Sequence, residues 1–355
     1  MSIEKYFEDE TPIPWAVEQL IGLGHNAMIY GRKGSGKSML AWFIASSIAR
    51  GEKLLERFDC KKRRCLIIDE ETPHTDLRDR IQKTFDPALD AGISDIWEIS
   101  GFKFSDPHRK AELKKYIQEN NITVIVFDNL NAMQGDWDLE RSNTDVGNLR
   151  RYFNDLRSVN PELTIILIHH EGLTSNRPRG ASALEDMSDT VIRLARLSDN
   201  PFQFIVQPIA RKRPAYKTFI VKLNTANGKF HPDFVREVEG ELVIPSDEAI
   251  ELADYFLLNR EAERTVDEIC DFFSGKLSKS TIRIELKTLY KNGFLEVGRG
   301  AHNLQRFWLS KSGRGGDNMY SNMLIAGLIE KWKRLGIYEA MCKAVKLDKL
   351  EDSPA

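Results

Sequence analysis

A glycine-rich run at residues 31–38, reading GRKGSGKS, carries the clearest chemical signal in the chain. A strand-like segment precedes it and a helix-like segment begins at its end. In that context glycines let backbone N–H groups point inward, and the helix N-terminus adds partial positive charge, so the run binds nucleotide phosphates. We predict contacts to ATP from Gly31, Gly34, Ser35, Gly36, Lys37 and Ser38, with Lys37 on the β- and γ-phosphates and Ser38 also ligating Mg²⁺.

A Mg²⁺–nucleotide complex needs a second carboxylate, and a hydrophobic run that ends in Asp128 supplies one. The next residue is Asn129 rather than glutamate, so the group that activates water has to come from another strand. Asp69, Glu70 and Glu71 stand at the end of the preceding predicted strand. We therefore assign Asp128 to Mg²⁺ and Glu71 to the general base, with Glu70 as the alternative.

Another predicted strand ends in two adjacent histidines, His169 and His170. Adjacent strand residues point to opposite faces, so at most one of them faces the nucleotide. No further histidine or cysteine stands at a spacing that would complete a zinc site. A sensor of the γ-phosphate is the preferred interpretation of this pair.

The segments that must position these side chains alternate between short aliphatic runs and amphipathic stretches. Strands are predicted at 27–30, 65–69, 123–128, 163–169 and 190–194, and helices at 37–49, 76–85, 109–119 and 145–159. Extended segments at 204–209 and 218–223 follow, and the Gly- and Pro-containing stretch 224–245 is interpreted as a tail and domain boundary. This order predicts an α/β fold with a mostly parallel sheet covered by helices on both faces.

The chain after this boundary predicts a smaller unit. Helices at 247–259, 266–273 and 280–292 are followed by extended segments at 294–297 and 306–309, which is the order of a winged helix. A glycine-containing linker then leads to a helix near 320–335. We predict three parts: an ATPase domain at 1–245, a winged-helix DNA-binding domain at 246–312, and a linker with a helical tail at 313–355.

Basic residues concentrate in the predicted winged helix. Residues 274–312 contain eight Lys and Arg against two Glu, a net charge of +6 in a chain that totals −2. Helical spacing places Ile282, Leu286, Leu289 and Tyr290 on a buried face opposite the cations. We predict DNA contacts from Lys279, Arg283, Lys287, Lys291 and, in the wing, Arg299.

Length and composition limit the other possibilities. The 355 residues allow about two domains, and 41% hydrophobic with 29% charged residues is ordinary globular usage. The longest aliphatic runs are far shorter than a membrane span, and residues 1–10 lack the features of a secretory signal. The four scattered cysteines indicate reduced thiols, so we expect a cytoplasmic protein with no membrane partner.

Together these motifs resemble those of RecA-fold P-loop ATPases, and within them the RepA-type and DnaB-like hexameric helicases of plasmids, phages and bacteria. The resemblance covers residues 12–223. Besides the phosphate loop, it rests on IPW at 13–15, DEETP at 69–73, DNL at 128–130, HHEG at 169–172 and RGASAL at 179–184.

The resemblance implies roles for individual residues. The catalytic glutamate of such proteins follows the second strand, which matches Glu71, and their sensor is the second member of the strand-end pair, which matches His170. The segment 211–214, reading RKRP, is similar to the basic element that reaches the neighbouring subunit's γ-phosphate. Arg213 is then the expected arginine finger and Arg211 its partner, although a proline follows where a glycine is common. A finger supplied in trans requires an oligomer.

In a ring of such subunits the loops after the Asp128 and His170 strands face the central channel. These loops are 134–143, with Trp137 and Arg141, and 173–179, with Arg177 and Arg179. Aromatic and cationic side chains are what sequence-tolerant binding of single strands requires.

The resulting hypothesis is an oligomeric, DNA-stimulated ATPase, in particular a hexameric replicative-type helicase that holds single-stranded DNA in its channel and duplex at the winged helix. One alternative is a RecA/RadA-like recombination or remodelling ATPase that does not unwind DNA. Another is a nucleotide-gated DNA-binding regulator.

Overall fold

The computed structural model describes residues 14–91, 93–97, 101–172, 177–180, 182–197, 202–209, 216–238, 245–259, 262–292, 294–299, 305–310, 319–335 and 341. Contacts divide the chain into two compact units, with a boundary near residue 240. None of the helices in these ranges is long and apolar enough to cross a bilayer.

The first unit consists of strands alternating with helices. Its strands are β1 (Trp15–Val17), β2 (Ile21–Gly22), β3 (Asn26–Gly31), β4 (Cys65–Asp69), β5 (Ile93–Trp97), β6 (Val124–Asp128), β7 (Thr164–His170), β8 (Thr190–Arg196), β9 (Gln203–Ile209), β10 (Phe219–Ala226) and β11 (Lys229–Glu237). Its helices are α1 (Lys37–Arg50), α2 (His74–Thr84), α3 (Pro107–Asn120), α4 (Leu130–Met133), α5 (Asn143–Arg157) and α6 (Ser182–Asp186).

Within the described ranges, nine of these strands form one sheet, in the order β11-β10-β9-β8-β3-β7-β6-β4-β5. The six from β8 to β5 are parallel to one another, and β9, β10 and β11 continue the sheet as an antiparallel meander. The predicted α/β class with a mostly parallel sheet is thereby confirmed.

Burial on both faces explains the aliphatic character of the central strands. Every residue of β3, β4 and β6 is buried, as expected for parallel strands covered by helices. Along β3, Ala27 and Ile29 pack into the apolar layer that contains α1, whereas Met28 and Tyr30 pack into the layer that contains α3 and α5. The sheet is thus held from both sides, and its strand ends are left to form a polar edge.

The interpretation of 224–245 as a tail is wrong for its first part, which forms β11. The β10–β11 hairpin turns at Asn227 and Gly228, both with positive φ. An Asn-Gly pair between two extended segments is a strong hairpin signal, and the sequence analysis overlooked it in favour of the nearby glycines and prolines. Pro232 is accommodated because β11 is an edge strand.

The second unit contains helices α7 (Asp247–Leu258), α8 (Val266–Phe272), α9 (Lys279–Lys291) and α10 (Met319–Arg334), and strands β12 (Arg264–Thr265), β13 (Leu295–Arg299) and β14 (Gln305–Leu309). The strands form an antiparallel sheet in the order β12-β14-β13. Helix α10, expected to belong to a tail, contributes Leu324, Leu328 and the fully buried Trp332 to the core of this unit. The Trp332 ring nitrogen donates to Asp254 at 3.1 Å.

One residue of α9 departs from its predicted environment. Ile282, Leu286 and Leu289 are buried as predicted, but Tyr290 is 47% exposed. At about 100° per residue, Tyr290 lies at the rim of the stripe centred on the other three, where its ring reaches solvent.

Candidate functional site

The carboxyl ends of four parallel strands bring the predicted site residues to one edge of the sheet. Gly31, at the end of β3, is the register partner of His170 at the end of β7. Asp69, at the end of β4, is the register partner of Asp128 at the end of β6. Since β7 and β6 are neighbours, the phosphate loop, the histidine and the two carboxylates share this edge.

The phosphate loop connects β3 to α1 and is shaped by its glycines. A Cβ at Gly31 would lie 2.1 Å from the Leu194 carbonyl oxygen. Gly36, the N-cap of α1, has φ of +82°, a left-handed conformation that other residues rarely adopt. The backbone therefore turns into the helix N-terminus in the manner that leaves N–H groups facing a phosphate.

Two side chains of this loop have unusual environments. Lys37 is buried and its ammonium group donates to the Arg32 carbonyl at 2.8 Å; burial lowers the Lys37 pKa, against the pull of Asp128 and Glu71. The Ser35 hydroxyl is buried without a hydrogen-bond partner in the described residues. A bound phosphate would supply acceptors to both groups, so the loop fits the nucleotide predicted for it.

Asp128 is the most strained electrostatic feature of this edge. It is 1% exposed, and neither carboxylate oxygen accepts a hydrogen bond from the described residues. Burial, reinforced by the charge of Asp69, raises its pKa well above the ordinary value, and the nearby Ser38 hydroxyl offsets part of that rise. An orphaned buried carboxylate beside a hydroxyl is the donor set that Mg²⁺ prefers, so Asp128 and Ser38 fit the predicted metal.

A second cluster is formed by Glu71, Asn129 and His170. The Asn129 amide nitrogen donates to Glu71 Oε2 and lies 3.2 Å from His170 Nε2. The same histidine nitrogen is 3.9 Å from Glu71 Oε1. The base and the sensor predicted from different strands are therefore joined through one amide.

The Asn129 side chain is held in a single orientation. Its oxygen accepts from the Ala132 backbone N–H at 3.0 Å, which caps α4 and directs the amide NH₂ toward Glu71 and His170. Burial lowers the pKa of His170, and the charge of Lys37 lowers it further. A neutral His170 can present Nε2 as the acceptor of the Asn129 amide. The sequence analysis used Asn129 only to exclude an adjacent glutamate and missed this bridging position.

The two other acidic residues of the DEE sequence have structural partners. Asp69 accepts from the backbone N–H groups of Glu71 and Thr72 at 3.0 and 2.9 Å, which fixes the turn after β4. The Glu70 carboxylate accepts from the N–H groups of Gly101 and Phe102, both at 2.9 Å. Glu71 alone of the three directs its carboxylate to the Asn129–His170 pair, which favours it over Glu70 as the candidate base.

His169 points away from this cluster, as the alternation along β7 requires. Its ring is fully buried, Nε2 is paired with the Arg179 carbonyl, and burial lowers its pKa to about 4. The two histidines thus occupy different environments, and His170 is the one on the nucleotide side.

The predicted channel residues lie in varied settings. Arg177 pairs with Glu185 at 3.2 Å and Arg179 with Glu140 at 3.1 Å, and both guanidinium groups remain largely exposed. Trp137 packs against the apolar layer of α3 and α5 instead of standing free in its loop. Arg211 and Arg213 lie outside the described residues.

In the second unit, the cations predicted to contact DNA are all exposed. They are Lys279, Arg283, Lys287 and Lys291 on α9 and Arg299 at the end of β13. Lys279 is bound to Asp267 at 2.6 Å. Ile284, which is 62% exposed, lies among the cations of this face.

Comparison with known proteins supports a P-loop ATPase core. Residues 2–176 match the family described as AAA domain. Among solved structures the chain is similar to a crystal structure of the RadB recombinase, at 16% identity and a TM-score of 0.44 over 61% of this chain and 94% of that one. It is also similar to the solved ATPase domain of a helicase, at 11% identity and a TM-score of 0.45 over 64% of this chain and 94% of that one. No curated protein matches it.

The burial of Asp128 predicts a trade between stability and ligand binding. Asp128→Asn removes a charge that the fold disfavours, so the nucleotide-free protein in a chelator should melt about 2–4 °C higher by calorimetry. Asp136→Asn, an exposed change of the same type, should leave the melting temperature unchanged. A lower melting temperature for Asp128→Asn would contradict an unpaired charge at this position.

The position of Asn129 predicts a turnover defect. Asn129→Ala frees both Glu71 and His170, so kcat for ATP hydrolysis should fall by about tenfold or more while the Kd for ATP changes little. Asn131→Ala is the matched control, because Asn131 lies in the helix that Asn129 caps and its amide instead donates to Glu140 at 2.9 Å. Equal kcat values for the two variants would exclude a role for the bridge.

Proposed function

We propose that this protein is an oligomeric, DNA-stimulated ATPase, and specifically a hexameric replicative-type DNA helicase of a plasmid, phage or other mobile element. The observation that carries the proposal is the convergence of the orphaned Asp128 carboxylate with the Glu71–Asn129–His170 cluster beside the phosphate loop. A nucleotide-binding loop alone would need only the phosphate contacts. A carboxylate held next to a sensor histidine adds the means to hydrolyse what is bound.

The roles follow from the side-chain chemistry. The loop glycines, Ser35 and Lys37 hold the phosphates of ATP, and Ser38 and Asp128 hold Mg²⁺. When bound, Mg²⁺ supplies positive charge against the charge that develops on the transferring phosphoryl group. Glu71 takes the proton of the attacking water, and Asn129 holds its carboxylate.

His170 is proposed to sense the γ-phosphate. As a neutral ring near Lys37 and Glu71 it can exchange its Asn129 partner for a phosphate oxygen when the nucleotide is bound. Because Asn129 contacts both residues, a shift of His170 changes the hydrogen bonding of Glu71. The state of the nucleotide is thereby coupled to the base.

Oligomerisation and DNA binding complete the proposal. Arg213, with Arg211, is proposed to reach the neighbouring subunit's γ-phosphate, so an isolated subunit should hydrolyse ATP slowly. Arg177 and Arg179 are proposed to contact single-stranded DNA in the channel. The basic face of α9, with Arg299 in the wing, is proposed to be a winged-helix surface that guides the protein onto duplex DNA.

Glu71→Gln tests the catalytic assignment. The amide cannot take a proton, so DNA-stimulated turnover should fall by about 10²-fold or more, while ATP still binds. Glu70→Gln keeps the same strand end and should lower turnover much less. Normal turnover in Glu71→Gln would remove the proposed mechanism. Intact turnover in the wild type without unwinding of a forked duplex would favour a recombination-type ATPase instead.

Reversal of charge on α9 tests the duplex-binding surface. In Lys287→Glu/Lys291→Glu, two phosphate contacts are lost, so the log–log salt dependence of duplex binding should become less steep by about 2. Lys61→Glu/Lys62→Glu changes the total charge equally on exposed residues of the first unit and should preserve the slope. ATP turnover without DNA should be the same in both. Identical slopes would refute the α9 assignment.

A further inference from the structure

An open cleft of about 490 Å³ lies between α3 and α5 in the first unit. Its walls are formed by Lys110 and Lys114 from α3, Arg151, Tyr152 and Asp155 from α5, and Trp137 from the loop before α5. None of these residues belongs to the nucleotide site, so the cleft has no role in the chemistry described above. Its size lies in the range of clefts that hold small ligands or short segments of a larger one.

The cleft is positively charged. Three cations line it against one carboxylate, and that carboxylate, Asp155, is bound to Lys114 at 2.5 Å. Lys110 lies over the rings of Trp137 and Tyr152, 5.2 and 5.6 Å from their centroids. Arg151 is exposed and forms no ion pair with any residue that the structure describes. Lys110 and Arg151 are therefore both available to an anion.

A buried hydroxyl at the base of the cleft also has no partner. Tyr152 is 6% exposed, and its oxygen has no hydrogen bond to the described residues. A buried hydroxyl without a partner costs free energy, and such a group in a ligand-accessible wall indicates a missing donor or acceptor. Together with the Asn148 amide on the same wall, it can reach the polar edge of a flat ligand.

We propose that this cleft binds a nucleotide unit of single-stranded nucleic acid, with the phosphate on Arg151 and Lys110 and the base against Trp137. The combination of cations with an aromatic face is the chemistry of sequence-tolerant strand binding. The inference rests on the proposed DNA dependence and deepens it, because it assigns a strand-binding surface outside the loop arginines. It also accounts for the packed position of Trp137.

Two other occupants are less compatible with the cleft. An acidic peptide would use the cations, but it would not need an aromatic face beside an unpartnered hydroxyl. A free nucleotide has the right chemistry, but the cleft is open and its cations are spread over two helices, which suits a continuous backbone. Both occupants give results that would overturn the proposal.

The test uses the full-length protein without ATP and a fluorescein-labelled oligothymidylate in an anisotropy titration. Arg151→Glu should weaken binding by about tenfold and make the single-strand salt dependence less steep by about 0.7 or more. Arg150→Glu makes the same charge change one residue away, outside the cleft, and should weaken binding less than about threefold. Arg151→Gln replaces Arg151→Glu if the melting temperature shows that the latter is unfolded.

A second measurement locates the bound strand. An oligonucleotide containing 5-bromodeoxyuridine should crosslink under ultraviolet light to the peptides that carry Trp137 or Tyr152, and excess free nucleotide should not prevent this. Crosslinks only elsewhere, equal affinities of the Arg151 and Arg150 variants, or full displacement by free nucleotide would each overturn the proposal. A wild-type protein that binds no single strand at all would instead refute the DNA dependence on which the inference rests.

Discussion

The unpaired negative charge of Asp128 is the constraint on which the nucleotide site depends. Packing of helices on both faces of the sheet buries the end of β6, and the apolar layers leave no donor there for either carboxylate oxygen among the described residues. The charge is compatible with the fold only because Ser38 and Lys37 stand on the neighbouring loop and helix. A site of this kind stores unfavourable electrostatics in the free protein, which a bound cation and phosphates relieve.

The order of the parallel strands converts that constraint into a site. Because the carboxyl ends of parallel strands meet at one edge, residues that are far apart in the chain come together without any long-range signal in the sequence. Strand ends such as Asp69, Asp128 and His170 could be predicted from aliphatic runs that stop at a polar residue. The pairing of Gly31 with His170 could not be predicted, because neighbouring strands are chosen by packing of the whole sheet.

What the sequence left undetermined was chiefly short-range polar geometry. Glu70 and Glu71 are equivalent in type and adjacent in position, and only the Gly101 and Phe102 amides distinguish them, by occupying one carboxylate. Asn129 was visible as a residue but not as a bridge, because its role depends on α4 fixing the amide through Ala132. The hairpin at 227–228, in contrast, was encoded locally and was missed because stronger weight was given to proline in β11.

The cations of the chain differ in what a polyanion would have to displace to reach them. Arg177 and Arg179 are each held by a glutamate, so a phosphate there competes with an existing ion pair, although exposed pairs are worth only about 0–1 kcal/mol. Lys287 and Arg151 form no ion pair with the residues that the structure describes and can bind phosphate without that exchange. Initial capture of nucleic acid should therefore use these surfaces first, and the loop arginines should engage once the strand is already held.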